Sequence, residues 1–286
     1  MLRLVTGRTG TLRLNIYDED GTPVDPATAP TVTITNGSGT EIQTGTATET
    51  DTTGVWTFIA SAAVTDELDE YEATWEYELD SEPVLSVITF QVAAAHTFEI
   101  ADLRAANPAL ADTTEYPADK IKRARVDAEE RFERGAQLAM VRRARRVTII
   151  GEGYPKLLLP DSEVQEILAI EIDGTTLDVS DPELQLDTQS GILEHPYKWE
   201  AGAVIDLYYI HGLNITPEPV SRAIRTLAIE YLVPSGLPAR ATSQSTDLGE
   251  FRIQLAGKDG TTGIPEVDSV MMDFGRRRPA TGATRA

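Results

Sequence analysis

The sequence predicts a multi-domain protein: an all-β sandwich, an α+β domain in which helices flank a β-hairpin insertion, and an extended C-terminal arm. Three observations predict this division. Apolar residues alternate with polar ones over residues 12–92, recur every three or four positions after residue 96, and become sparse after Pro234. A period of two is typical of a half-buried strand, and a period near 3.6 is typical of a helix. The predicted domains are therefore residues 1–95, 96–233 (with the insertion at 147–212) and 234–286.

The amino-acid composition excludes several classes of protein. The chain has 286 residues, of which 41% are hydrophobic, and it contains no cysteine. This apolar content suffices for folded cores. Without cysteine, disulfide scaffolds, thiolate nucleophiles and cysteine-based metal sites are excluded. No apolar run reaches the ~20 residues that cross a bilayer, and the opening MLRLVTGRTG lacks the apolar core of a signal peptide. We expect synthesis in the cytoplasm and no membrane partner.

Charge is unevenly distributed along the chain. The formal net charge is −21, with −13 in residues 1–95, +2 in residues 96–146 and −10 in residues 147–286. The positive charge is concentrated between Lys120 and Arg146, where ten basic residues accompany four acidic ones. Bulk acidity argues against a general nucleic-acid binder, because phosphate repels such a surface.

The first block reads as short strands separated by turns. The predicted strands are LRLNIYD (12–18), TVTITN (31–36), GVWTFIA (54–60), YEATWEYEL (71–79) and VLSVITFQV (84–92). Several short alternating strands with Gly, Asn and Pro between them predict a two-sheet sandwich. The residues predicted to form its core are Leu14, Ile16, Val32, Ile34, Trp56, Phe58, Tyr71, Ala73, Trp75, Val87 and Phe90.

This block resembles an immunoglobulin-like domain over about 80 residues. The cysteine pair of antibody domains is absent. Trp56 and Trp75 have two interpretations: they are core aromatics, which we favour, or they stack on sugar rings in a glycan-binding site.

The second block begins with helices. A helical turn follows Phe98 and ends at Asn107-Pro108, and a long helix begins at Pro117, since proline is tolerated in a first turn. This helix is predicted to run into the basic cluster Arg142, Arg143, Arg145 and Arg146. These arginines have two interpretations, which stay open: they compensate the negative end of the helix dipole, or they contact phosphate or an acidic partner.

Strands are predicted at 147–150, 156–159, 168–172, 192–194 and 204–211, with a tight hairpin turn at Asp173-Gly174. A second helix follows Thr216 and Pro217 and ends before Pro234. Its apolar positions repeat at helical spacing, so one face is expected to be buried. They are Val220, Ala223, Ile224, Leu227, Ala228 and Tyr231.

The segment after Pro234 has few apolar residues, and these fall in two short elements. We predict a strand and a short helix that contact another subunit or a partner protein, because a lone strand needs an edge to pair with. The predicted interface residues are Phe251, Ile253 and Leu255 in the strand and Ile264, Val267, Met271 and Phe274 in the helix. Residues 276–286 are expected to be a frayed basic tail.

No pattern of a catalytic, cofactor or metal site emerges. The three histidines, His96, His195 and His211, lack metal-ligand spacing. There is no G-x-S-x-G element and no phosphate-binding glycine loop. We therefore predict that the protein is not an enzyme and has no cofactor.

Residues 98–275 carry a family resemblance. The elements are the helix PADKIKRARVDAEERFERG, a β-rich insertion, then HGLNITPEPVSRA, RATSQST and TGIPEVD. Together they resemble the head-to-tail connector (adaptor, or neck) proteins of long-tailed bacteriophages. The sandwich is an addition to the minimal family, and we expect it to project outward.

The resemblance implies a structural virion protein located at the neck, the junction of head and tail. It implies a homo-oligomeric ring, a dodecamer, beneath the portal protein, with the C-terminal arm on the portal or a neighbour. Further implied partners are the next neck or tail-completion protein and DNA, which passes through the lumen without sequence-specific contact. The alternative from another class is a surface- or glycan-binding module carried by the sandwich.

Overall fold

The computed structural model describes residues 2–195, 199–233, 243–246, 249–252 and 261–275, with the backbone alone at 243–246 and 249–252. It shows a mixed α+β fold. A large, curled and mainly antiparallel sheet of nine strands dominates, and three smaller sheets and four α-helices accompany it among these residues. No helix in the described ranges is long and apolar enough to span a bilayer.

The first block contains eight strands in two sheets. One sheet has the order β2–β6–β5. The other five strands belong to the nine-stranded sheet, in which β8, β7, β3 and β4 are antiparallel neighbours and β1 runs parallel to β8. The strands are β1 (Leu2–Val5), β2 (Gly10–Asn15), β3 (Thr31–Asn36), β4 (Glu41–Thr46), β5 (Thr48–Glu49), β6 (Val55–Ala60), β7 (Glu70–Leu79) and β8 (Glu82–Ala93).

Both sheets contribute side chains to one buried core, and ten of the eleven predicted core residues belong to it. The exception is Val87, which is exposed, so that prediction was wrong. Alternation along β8 places Ile88 and Phe90 on the inner face, and Val87 therefore points outward. Two consecutive apolar residues, Val87 and Ile88, had left the phase of the alternation ambiguous.

The nine-stranded sheet continues across the predicted boundary at residue 95. β8 meets β9 at Ala93 and Arg143, and the order then runs β9, β15, β11 and β12. A separate sheet has the order β10–β14–β13. These strands are β9 (Arg143–Ile150), β10 (Lys156–Leu158), β11 (Val164–Ile172), β12 (Thr175–Leu177), β13 (Gln185–Asp187), β14 (Ile192–Glu194) and β15 (Val204–His211).

The helices share a second core, which contains five of the six predicted positions on the second helix. Tyr231 is largely exposed instead. The helices are α1 (Ile100–Ala106), α2 (Ala118–Ala136), α3 (Glu218–Leu232) and α4 (Pro265–Phe274), with a 3₁₀ turn at Pro108–Ala111.

The basic cluster does not lie at a helix end, which corrects the prediction. α2 ends at Ala136 because Gln137 adopts a left-handed conformation, with φ of 54°. The chain then enters β9, whose eight residues pair with β15 throughout. The arginines had continued the helical composition, but the pairing with β15 is a contact distant in sequence. Their interpretation as helix-dipole compensation is therefore wrong.

The C-terminal helix also differs from the prediction of an arm that reaches outward. α4 packs on α2 and α3 of its own chain, and Val267 and Met271 are buried in the shared core. These two side chains are therefore contacts within the subunit. Ile264 is half-buried against the same core, and Phe274 stays partly exposed at the surface.

The predicted C-terminal strand is not alone. β16 (Ser243–Thr246) and β17 (Gly249–Arg252) form a two-stranded antiparallel sheet, so β17 pairs within its own chain. Phe251 belongs to β17. Ile253, Leu255 and the basic tail lie outside the described residues.

Candidate functional site: the arginine strand and its cleft

β9 carries three arginines that meet carboxylates from three different elements. Arg143 Nη1 lies 2.8 Å from Glu133 of α2. Arg145 donates twice to the Asp161 carboxylate, at 2.8 and 3.0 Å. The fourth arginine of the predicted cluster, Arg142, precedes the strand and is exposed.

Arg146 joins the sheet to the first block. Its guanidinium donates to both oxygens of Asp69, at 3.0 and 3.3 Å, and lies 3.6 Å from the centre of the Tyr208 ring. The Tyr208 hydroxyl donates to the Leu68 carbonyl oxygen at 2.8 Å. Burial, reinforced by Asp69, raises the pKa of Tyr208 to about 12, so the hydroxyl keeps its proton. Arg146, held between a carboxylate and an aromatic ring, therefore stabilises the contact between β9 and the first block.

Asp161 is the centre of a polar cluster. Besides Arg145, it accepts a hydrogen bond from the Tyr209 hydroxyl at 2.7 Å. His211 Nδ1 lies 3.6 Å from Asp161 Oδ1, beyond hydrogen-bond distance, and has no partner among the described residues. Burial lowers the pKa of His211 to about 4 despite the attraction of Asp161. This histidine is therefore neutral at pH 7.

A buried ion-pair network lies beneath the strand. Arg3, on β1, donates to Glu129 at 2.8 Å and to Glu133 at 2.9 Å, and all three side chains are almost fully buried. Glu133 also accepts from Arg143 and from the Met140 backbone N–H. Burial alone would favour neutral forms. The two carboxylates nevertheless raise the pKa of Arg3, and the two arginines lower that of Glu133, so Arg3 and Glu133 are both charged.

Sequence reasoning missed this network. Arg3 and Glu129 are 126 positions apart, and isolated charges carry no pattern that predicts pairing over such a distance. The i,i+4 spacing of Glu129 and Glu133 on α2 does place both carboxylates on one helix face. That spacing is the one signal the sequence held.

A cleft of about 600 Å³ opens beside these groups. Its lining combines residues of the first block, α2 and β9, among them Glu70, Arg134, Arg145 and Asp161. Arg3 and Arg146 pair with carboxylates across the two blocks and hold them together, whereas Arg143 and Arg145 pair within the second block. No cluster of three or more His, Asp or Glu side chains in the described ranges could hold a metal ion.

No protein-family model matches the chain, and no curated protein matches it.

Proposed function

We propose that this chain is a structural virion protein that forms a ring in the neck of a long-tailed bacteriophage, joins the portal to the tail and lets DNA pass. The observation that carries the proposal is where the motifs of the resemblance fall. HGL closes β15, with Gly212 at φ of 100°, and PEPV opens α3. These motifs therefore coincide with the turns and helix starts that assemble the helical core.

The TGIPEVD element supports the same proposal. Asp268 is buried and accepts hydrogen bonds from the Thr262 N–H at 2.6 Å, the Thr262 hydroxyl at 2.7 Å and the Gly263 N–H at 3.2 Å. These bonds fold the approach to α4 into a fixed turn. The motif is thus explained by a structural task, which fits an assembly protein.

Electrostatics also fit a DNA conduit. A channel that lets DNA slide must not grip phosphate. The net charge is −21, and three of the four clustered arginines are matched by carboxylates of their own chain. Contacts of Arg142 or its neighbours with phosphate or an acidic partner remain a prediction.

We assign the first block to the immunoglobulin-like class as part of this proposal. The supporting feature is the strand order: β1–β8–β7–β3–β4 against β2–β6–β5, with β1 parallel to β8. As an outward-projecting domain, it would decorate the neck.

The glycan-binding alternative is less favoured. Trp56 and Trp75 are 5% and 0% exposed, and both belong to the core of the first block. An indole with no exposed face cannot stack on a sugar.

The experiment uses the full chain, because Arg3 and β8 connect the first block to the rest. Deleting the first block would leave the buried carboxylates of Glu129 and Glu133 without Arg3. The protein is mixed with portal rings of its own phage and examined by co-sedimentation and negative-stain electron microscopy. A stoichiometric second ring on one face of the portal is expected. Absence of binding at micromolar concentrations would refute the proposal.

A further inference from the structure

A second groove, of about 610 Å³, lies between α2, the start of β1, β8 and the β2–β6–β5 sheet. Five cationic side chains line it: Arg3 of β1, which pairs with Glu129 and Glu133, Arg13 of β2, and Lys122, Arg123 and Arg125 of α2. The acids in the lining are two residues of α2, one of which, Asp119, pairs with Lys122 at 3.1 Å. Arg13 and Arg123 meet no carboxylate in the described part of the chain. Cations thus gather here on an otherwise acidic protein.

Arg125 is a buried cation of the groove whose hydrogen bonds are incomplete. The residue is 4% exposed, its Nη1 donates to the Phe98 carbonyl oxygen at 3.1 Å, and its buried Nε has no acceptor among the described residues. Burial accordingly lowers the pKa of Arg125. Glu129 and Glu99 offset this burial only in part, and a buried N–H without an acceptor destabilises the isolated chain, so an anion in the groove would relieve this cost.

Two strand edges border the groove. β2 is the terminal strand of its sheet. Along β8, residues 82–89 pair with β7 on one side, while β1 begins its pairing only at Phe90. Leu85 and Val87 are exposed on this stretch. Free edges with exposed aliphatic residues accept an additional strand from another polypeptide.

The chain itself carries a surface of complementary charge. Residues 161–187 contain nine acidic and no basic residues. They include β11 and β12, and β12 is a terminal strand of the nine-stranded sheet. Glu171 and Glu183 are exposed there.

We propose that the cationic groove of one copy binds the acidic β11–β12 end of a second copy. This contact joins two different surfaces, and such head-to-tail contacts close into rings when the rotation permits. The inference rests on the proposed ring and names the surfaces through which its subunits meet.

The test is sedimentation velocity of the full chain at 50 and 500 mM salt, with reversals of exposed charges. Lys122→Glu/Arg123→Glu disables the groove, and Glu171→Lys/Glu183→Lys disables the acidic end. Each double variant is expected to self-associate at least about tenfold more weakly than the unaltered protein, because like charges then face each other. High salt should weaken the unaltered contact as well.

Mixing identifies the contact as head-to-tail. The groove variant keeps its acidic end and the acidic-end variant keeps its groove, so an equimolar mixture should recover the association that each variant alone has lost. Combining all four reversals in one chain should restore association. The matched control, Arg134→Glu/Arg222→Glu, changes net charge as the groove variant does, at exposed positions that belong to neither surface, and should associate normally.

The inference is overturned if the unaltered protein stays monomeric up to about 100 μM, if the groove variant behaves like its control, or if the mixture associates no more strongly than either variant alone. Portal binding separates this failure from failure of the proposed function. A protein that binds the portal but passes none of these tests retains the function and loses the contact. A protein that self-associates but never binds the portal loses the function.

Discussion

Replacing Arg3 with methionine would leave two buried carboxylates without the cation that both of them contact. Breaking a buried ion pair from one side costs about 3–5 kcal/mol, because the remaining charge is left without compensation. The lower end of this range applies to Arg3, because each carboxylate keeps other hydrogen-bond donors. Glu129 keeps two donors from Thr97, at 2.9 and 2.8 Å, and Glu133 keeps Arg143 and a backbone N–H.

We therefore expect Arg3→Met to lower the free energy of unfolding by about 3 kcal/mol. For a chain of this size that corresponds to about 6 °C in Tm, measured by calorimetry at pH 7. The control is Arg8→Met. Arg8 pairs with Glu99 at 3.3 Å, but both side chains are more than half exposed, and the loss should stay within about 1 kcal/mol.

A second variant tests the cause. Adding Glu129→Gln to Arg3→Met removes a buried charge that has lost its cation and keeps an oxygen that accepts hydrogen bonds from Thr97. The double variant should be no less stable than Arg3→Met alone, whereas the costs of two substitutions at sites that do not interact would add. Equal Tm losses for Arg3→Met and Arg8→Met would refute the assignment of this network as a tie between the blocks.

Three further predictions concern titration, a glycine and the last helix. Because burial lowers the pKa of His211 to about 4 from 6.5, the stability contributed by neutral His211 is complete above pH 6.5 and is lost as pH falls toward 4. Denaturant titrations across this pH range measure the free energy of unfolding. His211→Gln should make that free energy depend less on pH between 6.5 and 4. Gly212→Ala should lower the free energy of unfolding by about 3 kcal/mol or more, because a Cβ there collides with a backbone carbonyl oxygen. The control Gly174→Ala, also at positive φ but in open space, should lower it by about 1 kcal/mol. Similar losses for the two variants would argue against the close approach of Gly212 to that carbonyl. Met271→Ala should cost about 2–3 kcal/mol in thermal unfolding, and Met272→Ala, beside it but 69% exposed, less than about 0.5; the reverse order would show that α4 does not pack as described.

Local pattern predicted most of the elements. α3 runs from Glu218 to Leu232, as the residues Thr216-Pro217 and Pro234 indicate, and β15 has the predicted bounds. The hairpin at Asp173-Gly174 joins β11 to β12, with both turn residues at positive φ. Such signals succeed because turn conformation and helix ends depend on residues a few positions apart.

The corrections share one cause. The arginines after α2 form a strand because β15, some 60 residues later, supplies its hydrogen bonds. α4 is buried because α2 and α3 offer it an apolar face. Val87 faces outward because Phe90 sets the phase of β8.

The sequence by itself determined that a block of strands comes first and that helices begin after it, and it determined which face of α3 is apolar. Only the tertiary structure decided which charges meet: Arg3 with Glu129 and Glu133, and Arg146 with Asp69. The physical reason is that periodicity records which side of an element avoids water, whereas ion pairs between distant segments depend on how whole elements pack.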